Sequence, residues 1–441
     1  MTPSRFHPDA ALTSWGRVLR PVHQAGRPAH LHALPEFLAQ AAGFENAVLG
    51  IGLGRSYGDC GLNPDGGAIV TTALDRLIAF DPATGLVRAE AGISFLRLLE
   101  FLIPRGFFLP VTPGTRFVTF GGAIANDVHG KNHHIAGTFG RWVRGLGLLR
   151  GDGATHELRP GDKLFEATIG GLGLTGLIAW AEFQAIPVNS GLMETETIPF
   201  SKLDEFFDVS AASEAAFPYG VAWIDCMAAQ GRGLFSRARH AQTGGLQAKH
   251  FAPRLNLPMP APGFLLNRAS ITAFNDLYFR LGARQTGMRL ADFGPFFYPL
   301  DAIGHANLLY GKKGFYQYQS VIPPASARAA TAEMLGQISR AGQGSFLAVL
   351  KNFGSVPSPG MLSFPREGTS LALDFPNLGQ ETLNLLARLD DVVREAGGRL
   401  YPAKDGRMSE TMFRAGYPRL DEFAAYRDPA FASAFSRRMG F

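Results

Sequence analysis

Residues 52–67 read GLGRSYGDCGLNPDGG, and residues 113–134 read PGTRFVTFGGAIANDVHGKNHH. Each glycine-rich loop follows an apolar, strand-like run. Glycine has no side chain, so loops of this kind bring bare backbone N–H groups close to a bound anion. The second loop adds groups able to work on a substrate: Asn126, Asp127, His129, Lys131, His133 and His134. One loop for a pyrophosphate and one for chemistry is the pattern of a dinucleotide enzyme.

Around these loops the chain reads as short strands punctuated by glycine: 47–53, 68–72, 77–81, 86–92, 146–153 and 177–186. Ser94 caps a helical run, FLRLLEFLIP, that stops near Pro104. From about 190 to 310 the periodicity weakens. KHFAPRLNLPMPAPGFLLNR (249–268) reads as a proline-rich loop, packed on its own domain or touching a membrane or a lipid tail. Order returns at FYQYQSVI, followed by a helix, the strands 345–353 and 370–375, a helix with apolar Leu383, Leu386, Leu389 and Val393, and a last strand at 399–401. That β-α-β-β-α-β order builds one sheet with helices on one face. Strand alternation puts Gln317 and Gln319 on one side, and Ser370 with Ala372 likewise. The class is α+β rather than a regular βαβ series.

A chain of 441 residues exceeds one typical core, so two domains are expected. With 46% hydrophobic and 18% charged residues it has a globular composition. A net charge of +5 without a Lys/Arg run excludes a nucleic-acid patch. Two cysteines, Cys60 and Cys226, imply no disulfide framework and fit a reducing, cytoplasmic setting. The first twenty residues lack the apolar region of a secretory signal, and no stretch is long and apolar enough to span a bilayer. The expected protein is soluble, or peripheral at a membrane.

GLGLTG (171–176) matches the G-x-G-x-x-G pattern, but a strand follows it where a dinucleotide fingerprint needs a helix, so it reads as a turn. His129 and His133 stand four apart without the glutamate or third ligand that zinc requires, so no metal is expected. Taken alone, His129 reads as a structural hydrogen-bonding residue. Lys404, in YPAKDGR (401–407), reads as solvated, unless a neighbouring flavin or sugar hydroxyl gives it the work of a base.

GLGRSYGD, PGTRFVTFGGAIANDVHGKNHH, GGLGLTGLI (170–178) and YPAKDGR together resemble the FAD-linked oxidases of the vanillyl-alcohol oxidase type. Within that superfamily the likeness is greatest to the decaprenylphosphoryl-β-D-ribose 2′-oxidases. It runs from SWGR (14–17) to DPAFASAFSRRM (428–439) and is weakest between about 190 and 290. The resemblance implies a two-domain FAD-binding (PCMH-type) fold. The FAD-binding domain would comprise 1–189 and 398–441, with an antiparallel-sheet substrate domain at 190–397. It implies an FAD site at Gly52, Leu53, Gly54, Arg55, Ser56, Tyr57, Gly58, Asp59, Cys60 and Asn63, continued by Gly114, Thr119, Phe120, Gly121, Gly122, Asn126, Asp127, Val128, His129, Ile178 and Tyr401. Many relatives join a histidine of the first loop covalently to the flavin; here Tyr57 stands at that place, which implies non-covalent FAD.

The implied reaction is oxidation of a secondary sugar hydroxyl, with Lys404 as base or alkoxide stabiliser and Tyr57 and His129 as orienters. Lys131, Gln317, Gln319, Lys351, Ser370 and Ala372 would line the substrate pocket, the two lysines meeting a phosphate. The implied substrate is a polyprenyl-phosphoryl ribose, with a short-chain reductase as partner. Three positions depart from the family pattern: Ala372 replaces a cysteine, Ser370 an asparagine and Phe297 a pocket tyrosine. A sugar-lactone or alditol oxidase, and a flavin-binding protein without turnover, are the alternatives.

Overall fold

The structure, a computed structural model, describes residues 4–228, 230–247 and 253–441. Three sheets organise it. The first is mixed, in the order Phe6–Asp9, His23–Gly26, Gly67–Val70 and Val48–Ile51. The second is antiparallel, in the order Leu77–Asp81, Leu86–Glu90, Leu177–Gln184, Val143–Leu149 and Thr155–Leu158. The strands expected at 47–53, 68–72, 77–81, 86–92, 146–153 and 177–186 all form, with ends displaced by a few residues. Ser94 caps the helix Phe95–Leu102 by accepting from the Arg97 N–H, and a 3-10 turn at Ile103–Arg105 carries the chain past Pro104.

The third sheet has eight antiparallel strands: Arg289–Asp292, Leu192–Phe200, Gly233–His240, Tyr219–Ile224, Ala348–Phe353, Gly368–Pro376, Phe315–Ile322 and Arg399–Leu400. Its first four strands come from 190–310, the region whose periodicity is weak. Helices Leu203–Ser213, Pro324–Ala341 and Gln380–Glu395 cover one face, burying Ala222, Ile224, Leu350, Leu371, Leu373 and Tyr318. On the last helix the buried stripe is Leu385, Leu386, Leu389 and Val393; Leu383, expected there, is only half-buried. Alternation sends the intervening residues to the opposite face: Val221, Trp223, Gln317, Gln319, Val349, Lys351, Ser370, Ala372 and Asp374.

Residues 249–252 of the expected proline-rich loop lie outside the described residues. The rest is not plain loop. Leu255–Asn256 pairs in parallel with Ile303–Gly304, and a 3-10 turn at Gly263–Leu265 leads into the helix Arg268–Ala283. Near the C-terminus the chain returns to the first sheet, where the Val48 N–H donates to Ala430 O and the Ala432 N–H to Val48 O.

Candidate active site

The first glycine loop leaves the strand Val48–Ile51 and runs against the returning C-terminal segment. Gly58 has to be glycine: a Cβ there would stand 1.5 Å from Asp405 O. At Gly52 a Cβ would meet Thr119 Oγ1 at 2.2 Å, so the bare backbone of the first loop packs against the Thr119 side chain of the second. The Tyr57 N–H donates to Ala403 O at 2.8 Å. Arg438 clamps the far side, donating twice to the Asp59 carboxylate at 2.8 Å and once to Asp405 at 3.1 Å. Asn63 is held through both ends of its side chain, by Arg437 Nη1 at 2.8 Å and by backbone carbonyls including Gly67 O. The side chains of Asp59 and Asn63 are thus engaged within the protein, and what they offer an external ligand is backbone. Among the described residues, the Gly54, Arg55 and Ser56 N–H groups donate to no protein acceptor. Consecutive bare N–H groups are the donor set that a pyrophosphate takes, so the loop fits the FAD that the sequence implies.

In the second loop, Thr119 caps the short helix Phe120–Ala125. Asp127 sits at φ 39, a conformation that costs a non-glycine residue and persists only where its surroundings hold it. They do: its buried carboxylate accepts from the Gly140 N–H at 2.8 Å and from the Ser358 and Ser363 hydroxyls. Asp127 is therefore an anchor for the loop through its side chain. Asn126 O accepts from the Tyr401 hydroxyl at 2.8 Å, and its side chain lies 4.0 Å from the Cys60 thiol. Ile178 is buried in the second sheet, and nothing lies within 4 Å of a Cβ built at Gly114.

The groups with chemistry converge where these loops meet the uncovered face of the eight-stranded sheet. Lys404 Nζ stands 3.7 Å over the Tyr57 ring. Burial draws the Lys404 ammonium below lysine's usual range, with the Asp374 carboxylate opposing it. Burial likewise pushes the Tyr57 phenol up, so it stays neutral and able to donate. Asp374 accepts from Gln317 Nε2 at 2.6 Å and from the Tyr310 hydroxyl at 2.8 Å, while burial holds its carboxyl above the usual range.

Gln319 Nε2 donates to His129 Nε2 at 3.0 Å and to Ser370 Oγ at 3.1 Å. Accepting at Nε2 places the proton of the neutral imidazole on Nδ1. Burial keeps the ring well below histidine's usual range, and its Nδ1 has no protein partner among the described residues. A buried donor without a partner is costly unless a ligand takes it. Lys131 and Lys351 flank this end. Burial pushes Lys131 down to about 7 and Lys351 down to about 8. Lys131 Nζ donates to Phe296 O and stands 4.4 Å over the Phe296 ring, so its ammonium is engaged within the protein, while Lys351 Nζ lies 5.7 Å from the centre of the Phe353 ring.

Four neighbours escaped the sequence reading. Asp374 lies on the same parity as Ser370 and Ala372, so alternation in SLALDF contained the signal. Tyr310, Trp223 and Val349 gave none. Phe297 is 1% exposed and packs its ring 4.9 Å from that of Tyr219, a core position and not a pocket wall. The His133 ring lies 4.5 Å from that of Phe353, tilted by 38°, and no metal-ligand cluster exists among the described residues. A cleft of about 930 Å³ bounded by Asn132, Ile135, Trp142, Tyr219 and His240 includes none of the Lys404 group. The convergence of titratable side chains, rather than open volume, marks the candidate site.

Comparisons with known proteins point to the same cofactor. Residues 25–159 match the sequence family described as an FAD binding domain. The chain is 36% identical to the decaprenylphosphoryl-β-D-ribose oxidase of Mycolicibacterium smegmatis over 97% of both proteins. It is 24% identical to the L-gulono-1,4-lactone dehydrogenase of Mycobacterium tuberculosis over 91% of both. An alditol oxidase of Streptomyces is 25% identical over 38% of this chain and 40% of the relative.

Proposed function

The chain is an FAD-dependent oxidoreductase of the family that includes decaprenylphosphoryl-β-D-ribose oxidase, and from that premise we propose that it oxidises a secondary hydroxyl of a polyprenyl-phosphoryl sugar, the 2′-hydroxyl of a β-D-ribose unit, to the ketone. The observation that carries this reading is the shared face on which Lys404, Gln317, Gln319, Lys351 and Ser370 meet Tyr57 and His129. FAD, when bound, supplies the hydride acceptor.

The protein's residues supply the rest. Lys404, kept partly neutral by burial, takes the hydroxyl proton. The Tyr57 hydroxyl and His129 Nδ1–H orient the sugar oxygens, the imidazole being fixed in that tautomer by Gln319. Lys131 and Lys351 receive the phosphate and regain their charge on binding. The Gly52–Asn63 loop holds the pyrophosphate through backbone N–H groups. With Tyr57 where relatives carry the attached histidine, the flavin is non-covalent, so denaturation followed by desalting strips the yellow colour from the protein.

The ketone needs a second, reductive step to give the epimer, which a short-chain reductase partner supplies. No helix among the described residues is long and apolar enough to cross a membrane. A lipid-linked substrate then calls for peripheral contact, which we place on the cytoplasmic side. Product analysis tests the reading. Turnover of polyprenyl-phosphoryl ribose must yield a species lacking two hydrogens, trapped as a carbonyl adduct at C2. Oxidation of an alditol or a lactone in preference to it would move the assignment to those relatives' chemistry.

A further inference from the structure

The exposed large hydrophobic side chains are unevenly placed. Among the described residues fourteen are exposed, and nine of them fall between Leu255 and Leu290. Four lie on the helix Arg268–Ala283: Phe274 at 46% exposure, Leu277 at 57%, Tyr278 at 45% and Leu281 at 50%. Their spacing is i, i+3, i+4, i+7, one side of a helix. Ile271 and Asn275 on the same helix are buried, and Asn275 anchors it by donating to Asp225 at 2.8 Å. Met259 at 69% and Leu265 at 50% are further exposed apolar side chains on the segment that leads into this helix. An apolar patch of this extent on a monomer marks an interaction surface.

Its charge says what kind. Residues 253–290 hold five arginines (Arg254, Arg268, Arg280, Arg284 and Arg289, all exposed) and one acid, Asp276. Five minus one gives +4 in these 38 residues, against +5 for the whole chain. Exposed leucine and aromatic side chains rimmed by arginine fit an interface of lipid tails under anionic headgroups.

The patch also adjoins the site. The Tyr278 ring is 4.8 Å from that of Trp223, on the uncovered face of the eight-stranded sheet. Phe274 contacts Phe346 at 5.8 Å, Phe346 stacks on Tyr310 at 5.5 Å, Tyr310 on Phe315 at 4.0 Å, and Phe315 meets Tyr57 at 5.6 Å. A continuous run of rings thus joins the exposed helix to the residue under Lys404.

We propose that the apolar side of the helix Arg268–Ala283, with its arginine rim, docks the enzyme on an anionic bilayer, on the side of the molecule from which the run of rings leads to Tyr57. The proposal deepens the reading of a lipid-linked substrate and rests on it for its purpose, but its test needs no substrate. Holoenzyme is floated with vesicles of phosphatidylcholine alone and of phosphatidylcholine with an equal part of phosphatidylglycerol. Recovery with the anionic vesicles, falling with salt, is expected. The double variant Leu277→Asp/Leu281→Asp should lower the partition by about tenfold or more. Arg280→Glu and Arg284→Glu should each lower it by about fivefold or more. All variants should keep the wild-type flavin spectrum, since these residues are exposed. Wild-type protein that ignores both vesicles, or aspartate variants that float as well as wild type, would overturn the proposal. So would a self-associating wild type whose dimer the same variants dissolve, because the face would then belong to a second copy. Vesicle binding without flavin reduction by the ribosyl lipid would leave the docking surface standing and remove the substrate reading instead.

Discussion

Gly58→Ala should separate the flavin site from the rest of the fold. The added Cβ would lie 1.5 Å from Asp405 O and 2.2 Å from its carbonyl carbon. Both are backbone atoms, so no rotamer change relieves the clash, and the first loop must part from the C-terminal segment. The Tyr57 N–H to Ala403 O bond at 2.8 Å goes with it, worth about 1 kcal/mol. So does the seat of Lys404 Nζ over the Tyr57 ring at 3.7 Å, worth roughly 1–2 kcal/mol when desolvated. Residual overpacking adds about 1 kcal/mol. An empty loop relaxes and escapes most of this cost, whereas binding demands the wild-type placement. The cost therefore appears as weaker FAD binding, about 2–4 kcal/mol or roughly thirty- to a thousandfold. Flavin fluorescence titration of apoprotein measures it directly. Gly114→Ala is the control, since its Cβ meets nothing within 4 Å: the apoprotein should melt as wild type does, and any loss of affinity reports the cofactor itself. A Gly58→Ala protein that binds FAD with wild-type affinity and melts at the wild-type temperature would refute the argument that these two segments jointly build the cradle.

Three further outcomes follow from the same geometry. Lys404→Met should retain FAD but slow anaerobic flavin reduction by roughly 10²–10⁴-fold; it should also abolish the rise of the rate with pH that a buried, depressed base gives the wild type, and an unchanged rate and pH profile would count against Lys404 as base. Because Lys131 is pushed down to about 7 and Lys351 to about 8, a phosphate-bearing ligand must protonate them, so affinity should fall as pH rises through 7–8 and beyond; calorimetry at pH 8 in two buffers of different ionisation enthalpy should show proton uptake, and none would contradict their role. Ala372→Cys should create a thiol that maleimide labels and bound substrate protects, whereas the wild type should stay unlabelled, its Cys60 and Cys226 being buried and both pushed up to about 12; an Ala372→Cys protein that maleimide leaves unlabelled would show that this face is closed.

The parts legible in the sequence were those where one local rule speaks clearly. The glycine loops, the Ser94 cap, and the β-α-β-β-α-β order from Phe315 to Leu400 needed only backbone freedom, capping and strict alternation. Two of the first four strands of the large sheet, Leu192–Phe200 and Gly233–His240, did not read as strands because residues on one of their faces are charged in pairs. Glu194 and Glu196 of Leu192–Phe200 face Arg239 and Arg237 across the ladder at 2.7 Å, so the strand looks polar until its partner is beside it. The site was legible as motifs and not as a network. Gln317 and Gln319 could be placed on one face, but that Gln317 binds Asp374 and Gln319 binds His129 depends on register and on contacts across 57 and 190 residues of chain. Asp59, Asn63 and Asp127 lie in the right loops, yet their side chains are used internally, a distinction that local sequence does not carry.

The central claim is tested most directly by one spectrum. Purified protein, reconstituted with FAD, is titrated anaerobically with polyprenyl-phosphoryl ribose while the flavin band is followed. Stoichiometric bleaching, with the 2-keto product recovered, is the predicted result. A flavin band that this lipid leaves unchanged while a free alditol or sugar lactone bleaches it would contradict the account.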